Sequence, residues 1–309
     1  MTFSLSGAGA ALESVAHDLA GVDPRLAALA LVFHVTNHLL RSVAWRNVVA
    51  AAYPGTRVRL LPIAAAYATG VALNAVAPAR GGDAAKIALA RGALSGSSVP
   101  TLAATVSVLV VFDVVFATAL LLVVAAAGLV PVQLPSAGAV AAHWPVVLAA
   151  AAALAAAGYV AGRVAHRRLR VLWERVRQGG AILRTPGCYL RRVALVQAGA
   201  WCCRIAVVLC LLAGFGLPAS IPVAGLVMVV AGASTLIPLA PGGAGAQQIM
   251  VAFALSQTAS AAAVVSFSVG MQAGVTAVNA LLGLAAAMAV FRTVRPLAAA
   301  RGALAAARA

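Results

Sequence analysis

The segment NAVAPARGGDAAK, residues 74–86, decides the fold because it places a proline and a pair of glycines inside an apolar region. That region extends from about residue 60 to residue 94, so each half is shorter than the roughly 20 residues that a membrane-spanning helix needs. Proline removes a backbone hydrogen-bond donor and glycine loosens a helix, so we predict that the chain bends here. The same segment contains Arg80, Asp83 and Lys86, the only lysine of the protein.

The composition of the whole chain is that of an integral membrane protein. Of its 309 residues, 63% are hydrophobic and 9% are charged, and the mean hydropathy is +1.03. A soluble domain has about 25% charged residues. We therefore predict an all-α polytopic protein with a single transmembrane domain over residues 25–291, preceded by an extracytoplasmic segment, 1–24, and followed by a cytoplasmic tail, 292–309. The apolar runs that predict spanning helices are residues 26–40, 99–130, 139–162, 193–213 and 259–291.

A second apolar region, from residue 221 to about 255, is interrupted in the same way. Its glycine pair at 242–243 lies 161 positions after the pair at 81–82, and Lys86 then aligns with Gln247. We predict two repeated units, each consisting of a spanning helix, a broken re-entrant hairpin and a second spanning helix. The parts of the domain are repeat one, about 25–130; a linking helix, 139–162; a basic cytoplasmic segment, 163–192; and repeat two, about 192–291.

The number of spans and the positions of the basic residues predict how the units are oriented. Three predicted spans separate the two breaks, and an odd number places them on opposite faces, so repeat two is an inverted copy of repeat one. Basic residues cluster at 41–59, at 163–192 and after the last span, whereas 131–138 and 214–222 carry no charge. Because basic loops are cytoplasmic in membrane proteins, we predict an N-terminus outside and a C-terminus inside. Inverted repeats with broken helices are a plan of secondary transporters.

The formal net charge of +16 is better explained by membrane contact than by nucleic-acid binding. Nine arginines lie within residues 163–192, around one glutamate, and this segment is expected to lie on anionic lipid headgroups. The alternation of basic and uncharged loops argues against a nucleic-acid partner.

A half-helix that starts after the first break is predicted to bind an anion. Asp83 is expected to cap this half-helix, and Lys86 to lie in its first turn. Free backbone N–H groups and the positive end of the helix dipole favour phosphate, and Arg80 and Lys86 add two positive charges. The alternative is an interfacial loop whose charged side chains extend to the membrane surface.

The second break carries no charge, but two glutamines follow it. Gln247 and Gln248 can hydrogen-bond a lipid headgroup, or they can only satisfy the backbone of the second half-helix. The residues predicted to contact a headgroup at the two breaks are Asn74, Arg80, Gly81, Gly82, Asp83, Lys86, Pro241, Gly242, Gly243, Gly245, Gln247 and Gln248.

Polar residues inside the spans are predicted to line an interior pathway. His34, His38 and Arg41 recur on one helix face, and Arg204 follows Arg41 by 163 positions, inside the corresponding span of repeat two. Asp113 lies in the middle of a span and is predicted either to carry a proton or to pair with one of these arginines. A histidine pair at i, i+4 can bind a metal, but no HExxH glutamate is present. Interior hydrogen bonding is therefore the preferred interpretation, and no metal or other cofactor is predicted.

No motif in the chain indicates catalysis. The sequence contains neither a GxxxxGK[ST] loop for ATP nor a GxSxG context for a nucleophilic serine. Catalysis is not excluded, but nothing in the sequence points to it, so we predict a transporter-like protein and not an enzyme.

The two breaks together resemble motifs of a known family. The patterns N-x-x-x-P-x-R-x-G-[DE] and P-G-G-x-G-x-x-[EQ] are similar to those of the lysylphosphatidylglycerol synthase transmembrane-region family, the flippase-like membrane domain of the bacterial multiple peptide resistance factor. The resemblance covers about residues 25–291 and departs from the family at Gln248, where a glutamate is usual. The matching residues are Asn74, Pro78, Arg80, Gly82, Asp83, Pro241, Gly242, Gly243 and Gly245.

This resemblance implies translocation of a lipid between the leaflets of the bacterial cytoplasmic membrane, and not lipid synthesis. The implied substrates are anionic or phosphate-bearing lipids, either aminoacyl-phospholipids or polyprenyl-phosphate-linked sugars. One alternative is a membrane scaffold or accessory subunit of a lipid- or glycan-modifying enzyme, with residues 163–192 docking that partner. Another is an enzyme that acts on a lipid-linked phosphate.

Overall fold

Helices form all the regular structure in the described part of the chain. The computed structural model describes residues 21–74, 81–128, 166–234, 245–256 and 259–291. Four helices are long and apolar enough to cross a membrane, so the prediction of an all-α polytopic membrane protein is confirmed. The predicted linking helix at 139–162 lies outside the described residues. The four long helices are α1 (Pro24–Ala52), α4 (Val99–Ala126), α6 (Pro186–Gly214) and α9 (Ala261–Phe291).

Two pairs of short helices lie between the long ones. At 1.5 Å per residue each is about 22 Å long or less, which is shorter than the roughly 30 Å hydrocarbon core of a bilayer. Within each pair the two helices pack against each other. The centres of the two breaks, residues 75–80 and 235–244, lie outside the described residues. The first pair is α2 (Leu60–Asn74) and α3 (Gly81–Ala93), and the second is α7 (Ile221–Ser234) and α8 (Ala246–Leu255).

Local sequence explains where the long helices of the first unit begin. Asp23 precedes α1, and its carboxylate accepts a hydrogen bond from the backbone N–H of Arg25 at 2.8 Å. Ser98 precedes α4, and its hydroxyl accepts from the backbone N–H of Thr101 at 3.3 Å. A proline occupies the first turn of both helices, where its missing N–H costs nothing.

The first spanning helix is longer than its apolar run suggests. The topology predicts a basic loop over residues 41–59, but α1 continues to Ala52, so Arg41, which is also predicted to lie inside the span, and Arg46 are both helical. The loop prediction is wrong for residues 41–52 because both guanidinium groups find partners inside the protein. Arg41 pairs with Asp113, and Nε of Arg46 donates to the backbone oxygen of Val58 at 3.0 Å.

Helices α1 and α6 run antiparallel along most of their length. Gly214, at the end of α6, lies against Val22, just before the start of α1. In the middle, the side-chain amide of Asn37 donates to the backbone oxygen of Ala200 at 2.6 Å. At the other end, the Asn47 amide donates to the backbone oxygen of Arg192 at 2.9 Å.

One end of the molecule collects most of the described basic residues, and we call it the basic end. The end of α1, the start of α2 and the start of α4 meet there, since the backbone N–H of Ser98 donates to the Tyr53 hydroxyl at 3.0 Å. The amphipathic helix α5 (His166–Gly179) is held at the same end, because the Gln178 amide donates to the backbone oxygen of Ala52 at 3.0 Å. Exposed arginines at this end are Arg57, Arg59, Arg175, Arg177, Arg184, Arg191 and Arg192.

Two glycines allow backbone contacts that fix the short helices. A Cβ on Gly82 of α3 would lie 2.0 Å from the carbonyl oxygen of Gly70 in α2, so these two helices touch backbone to backbone. A Cβ on Gly283 of α9 would lie 2.3 Å from the Cβ of Ala72, so α9 packs closely on α2. Neither site has room for a side chain.

Candidate functional site

An ion pair joins α1 to α4 near the middle of both helices. Two nitrogens of the Arg41 guanidinium donate to the two carboxylate oxygens of Asp113, one of them at 3.2 Å. The same carboxylate accepts from the indole N–H of Trp201 at 2.9 Å and from the amide of Gln197 at 3.4 Å. Its hydrogen-bonding capacity is therefore filled. Of the two predicted roles of Asp113, the geometry corresponds to the partner of Arg41 and not to a free proton carrier.

The second interior arginine, Arg204, is exposed although it projects from the buried face of α6. Its neighbours one helical turn away, Ala200, Trp201, Val207 and Val208, are all buried. Those buried residues place Arg204 on the protein-facing side of the helix, although its own side chain is exposed.

The guanidinium of Arg204 lies over an aromatic ring instead of a carboxylate. Its central carbon is 5.4 Å from the centre of the Trp201 ring, whose other neighbour is the stacked ring of Phe116 at 4.8 Å. Arg204 is also within electrostatic range of Arg41 and Asp113. Among the described residues the ion pairs are Arg41–Asp113 and Lys86–Asp83, so no described carboxylate neutralises Arg204.

The two interior histidines share one hydrogen-bonding partner. Nε2 of His34 and Nε2 of His38 each lie 2.8 Å from Oδ1 of Asn279 in α9, and 3.3 Å from each other. This arrangement corresponds to the predicted interior hydrogen bonding. In the part of the chain that the structure describes, no cluster of three or more His, Cys, Asp or Glu side chains could hold a metal ion.

Tyr67 of α2 connects the ion pair to the first break. Its hydroxyl accepts from Nε of Arg41 at 2.7 Å, and its ring lies 5.5 Å from the ammonium of Lys86 and 5.8 Å from the ring of His38. The Lys86 ammonium also lies 5.7 Å from the Trp45 ring. A chain of contacts therefore runs from α3 through α2 to the interior arginine.

Lys86 is directed into the protein. It is 8% exposed, and its ammonium donates to Asp83 at 3.0 Å. Helix α3 begins at Gly81, so Asp83 lies within the first turn instead of preceding it, and it also accepts from the amide of Asn74 at 3.5 Å. In this arrangement the Lys86 charge is already matched, and Asp83 stabilises the first turn together with Gly82. Arg80 lies outside the described residues.

The second break is held by one of its two glutamines. Gly245 has a φ of +82° and immediately precedes α8, and its backbone N–H donates to Oε1 of Gln248 at 2.7 Å. The amide nitrogen of Gln248 donates to Oε1 of Gln272 in α9. Gln248 thus provides a hydrogen-bond acceptor for the backbone at the start of α8, which is one of the two roles that the sequence suggests for the glutamines. Gln247 is buried. The predicted contacts Pro241, Gly242 and Gly243 lie outside the described residues.

Four residues of this network are missed by reasoning from the sequence. Tyr67, Gln197, Trp201 and Asn279 are uncharged, and an uncharged polar residue in an apolar helix is a weak signal. Trp201 offers one clue, because it precedes Arg204 by three positions and therefore shares its helix face.

Comparison with known proteins agrees with the architecture. A family model described as lysylphosphatidylglycerol synthase TM region matches residues 2–299. The chain belongs to this family. Membership in the lysylphosphatidylglycerol synthase TM region family, together with four apolar helices, makes the chain a multi-pass membrane protein of a lipid-modifying or lipid-transporting type. Neither the curated proteins nor the solved structures contain a match to the chain.

Proposed function

We propose that this protein moves an anionic or phosphate-bearing lipid between membrane leaflets, and that Arg204 binds the headgroup. The observation that carries the proposal is a guanidinium on the protein-facing side of α6 that has no ion-pair partner among the described residues. Counted along α6, Arg204 is about 27 Å from Pro186 and about 15 Å from Gly214, so it lies well inside the membrane-spanning part of this helix. An isolated charge at this depth is costly, and an anionic ligand would remove that cost.

The pairing of helices supports an inverted repeat. Helices α1 and α6 each contain 29 residues and begin 162 positions apart, and the same order of short, short and long helices follows each of them. In two parallel copies, α1 and α6 would run in the same direction. Their antiparallel packing favours an inverted copy and therefore an alternating-access transporter.

Contacts between the two units also agree with an inverted copy. Helix α2 packs on α9 of the other unit, and its counterpart α7 packs on α4, which is the counterpart of α9. The short pair α2–α3 starts and ends at the basic end, as a re-entrant hairpin requires. Both features support two hairpins that enter the membrane from opposite faces.

The repeat is not symmetric in charge, and this asymmetry creates the site. Asp113 neutralises Arg41, whereas the positions 161 to 163 residues later are Gly274, Val275 and Thr276, none of which is acidic. The second arginine thus keeps a positive charge for a ligand. A guanidinium suits phosphate because its planar N–H groups can bind two oxygens at once.

The basic end supports a cytoplasmic location for α5 and an N-terminus outside. In α5 the exposed apolar side chains of Leu172, Trp173 and Val176 recur on one face beside several arginines. Such a helix lies in the headgroup layer of an anionic membrane. We propose the bacterial cytoplasmic membrane as this location, and aminoacyl-phospholipids or polyprenyl-phosphate-linked sugars as substrates.

A leaflet-exchange assay tests the proposal. The protein is reconstituted into liposomes with fluorescent phosphatidylglycerol, and dithionite quenches the label in the outer leaflet. Loss of a charged hydrogen bond costs about 1.5–3 kcal/mol, so we expect Arg204→Gln to reduce exchange about tenfold to a hundredfold. The matched control is Arg184→Gln, an exposed arginine at the basic end.

Two results would overturn the proposal. Exchange by the wild-type protein at the rate of protein-free liposomes, across a panel of anionic lipids, would favour a scaffold. Conversion of a labelled lipid to a new product in detergent would favour an enzyme.

A further inference from the structure

The histidine pair has an unused proton acceptor. With Oδ1 of Asn279 as the shared acceptor, Nε2 of both His34 and His38 is the donor and carries a hydrogen. Each neutral imidazole then has an unprotonated Nδ1. Nδ1 of His38 is buried and has no hydrogen-bond partner among the described residues, and the whole side chain of His38 is 8% exposed. A buried acceptor without a donor is uncommon and points to a missing proton or ligand.

The charged groups around this pair come from several helices. Arg41 lies one turn further along α1, and Arg204 of α6 is within electrostatic range of His34. Tyr67 of α2 contacts His38, and behind it Lys86 of α3 is paired with Asp83. Asp113 of α4 is already paired with Arg41. The described residues of α7, α8 and α9 include no titratable side chain.

The net field at the empty pair is therefore positive. A proton on either imidazole would add a second positive charge close to Arg204, which has no ion-pair partner among the described residues. A phosphate at Arg204 would cancel the charge that opposes the proton. The proposed headgroup site at Arg204 is thus electrostatically coupled to the two histidines.

We propose that the His34–His38 pair binds one proton together with the anionic headgroup, so that lipid and proton are carried as a neutral pair. This inference rests on the proposed function, because the headgroup must occupy Arg204. The proton comes from water and is added to Nδ1 of His38, and it returns to water when the headgroup leaves. A singly negative phosphodiester and one proton carry no net charge, which lowers the cost of passing the apolar interior.

Coupling of this kind is reciprocal. If the anion promotes protonation, protons must promote anion binding by the same factor. Phosphodiester affinity should therefore rise as the pH falls, by up to about tenfold per pH unit where the free pair is neutral and the occupied pair is protonated.

Calorimetry can count the proton. Short-chain dihexanoyl phosphatidylglycerol is titrated into the full-length protein in detergent, in buffers of equal pH but different ionisation enthalpy. The slope of the observed enthalpy against the buffer enthalpy gives the number of protons taken up. We expect about one proton per bound lipid for the wild-type protein near neutral pH, and about none for the double variant His34→Gln/His38→Gln.

Controls separate this inference from the proposed function. His166→Gln, in α5, should retain the uptake, and the single variant His38→Asn serves if the double variant does not fold. Lipid binding without proton uptake, or uptake that persists in the histidine variants, would overturn the inference and leave the transport proposal standing. Absence of binding in the wild-type protein, or binding unchanged in Arg204→Gln, would overturn the headgroup site and the inference with it.

Discussion

Replacing Val275 with aspartate would give Arg204 the partner that Asp113 gives to Arg41. Val275 lies 162 positions after Asp113 and packs against the apolar cluster that contains Trp201, the residue over which Arg204 lies. If the two units correspond as proposed, we expect a carboxylate at this position to face Arg204 and to reproduce in the second unit the ion pair of the first. It would also occupy the guanidinium that we propose as the headgroup ligand.

The size of the effect follows from competition between two anions. Unit charges 4 Å apart attract by about 4 kcal/mol at an effective dielectric constant of 20, and desolvation of the new carboxylate reduces that value. The new ion pair, with a net stabilisation of about 1.5–3 kcal/mol, must be broken before a headgroup binds. This weakens headgroup binding about tenfold to a hundredfold.

The assay compares Val275→Asp with Val275→Asn, which has nearly the same shape and no charge. In liposomes with fluorescent phosphatidylglycerol, we expect the asparagine variant to exchange lipid near the wild-type rate and the aspartate variant to be at least about tenfold slower. Equal exchange rates for the two variants would refute the assignment of Arg204 as an unpaired headgroup ligand.

Two further predictions concern stability and are measured by thermal unfolding in detergent. Asp113→Asn leaves Arg41 without its counter-ion and should lower the free energy of unfolding by about 3 kcal/mol, the lower end of the range for broken buried pairs, because both groups are partly exposed. The double variant Arg41→Met/Asp113→Leu removes both charges and should recover much of that loss. A single variant as stable as the wild-type protein would contradict this prediction. Gly82→Ala should destabilise the protein strongly because the new Cβ would lie 2.0 Å from the Gly70 carbonyl oxygen. Gly92→Ala, in the same helix, places its Cβ where nothing lies within 4 Å and should raise the free energy of unfolding by up to about 1 kcal/mol. Similar melting temperatures for these two variants would show that the close contact of Gly82 is absent.

The sequence predicts the spanning helices because apolar length is a local property. The glycine pairs with nearby prolines predict interruptions whose centres, 75–80 and 235–244, lie outside the described residues. The end of α1 is misplaced for the opposite reason. Arg41 follows the apolar run directly and begins the predicted basic loop, although its helix face predicts an interior position, and a carboxylate 72 positions away keeps it inside the span.

The candidate site is only partly predictable for the same reason. Lys86 beside a break suggests a ligand-binding charge, yet Asp83 and two aromatic rings enclose it, which no local pattern reveals. Arg204 is found by its correspondence to Arg41. That it lacks a carboxylate depends on which helix faces it, and this is known only once α6 and α9 are placed.

The glycine contacts determine which parts of the protein can move as rigid blocks. Gly82 locks α3 to α2, and Gly283 locks α2 to the last helix of the opposite half. A rocking motion that kept each sequence half intact would pull Gly283 away from Ala72. If the protein alternates access as proposed, these contacts favour chimeric blocks, each made of a pair of short helices from one half and the final helix of the other. A pair of cysteines joining α2 to α9 is then expected to leave lipid exchange intact, because both helices belong to the same block.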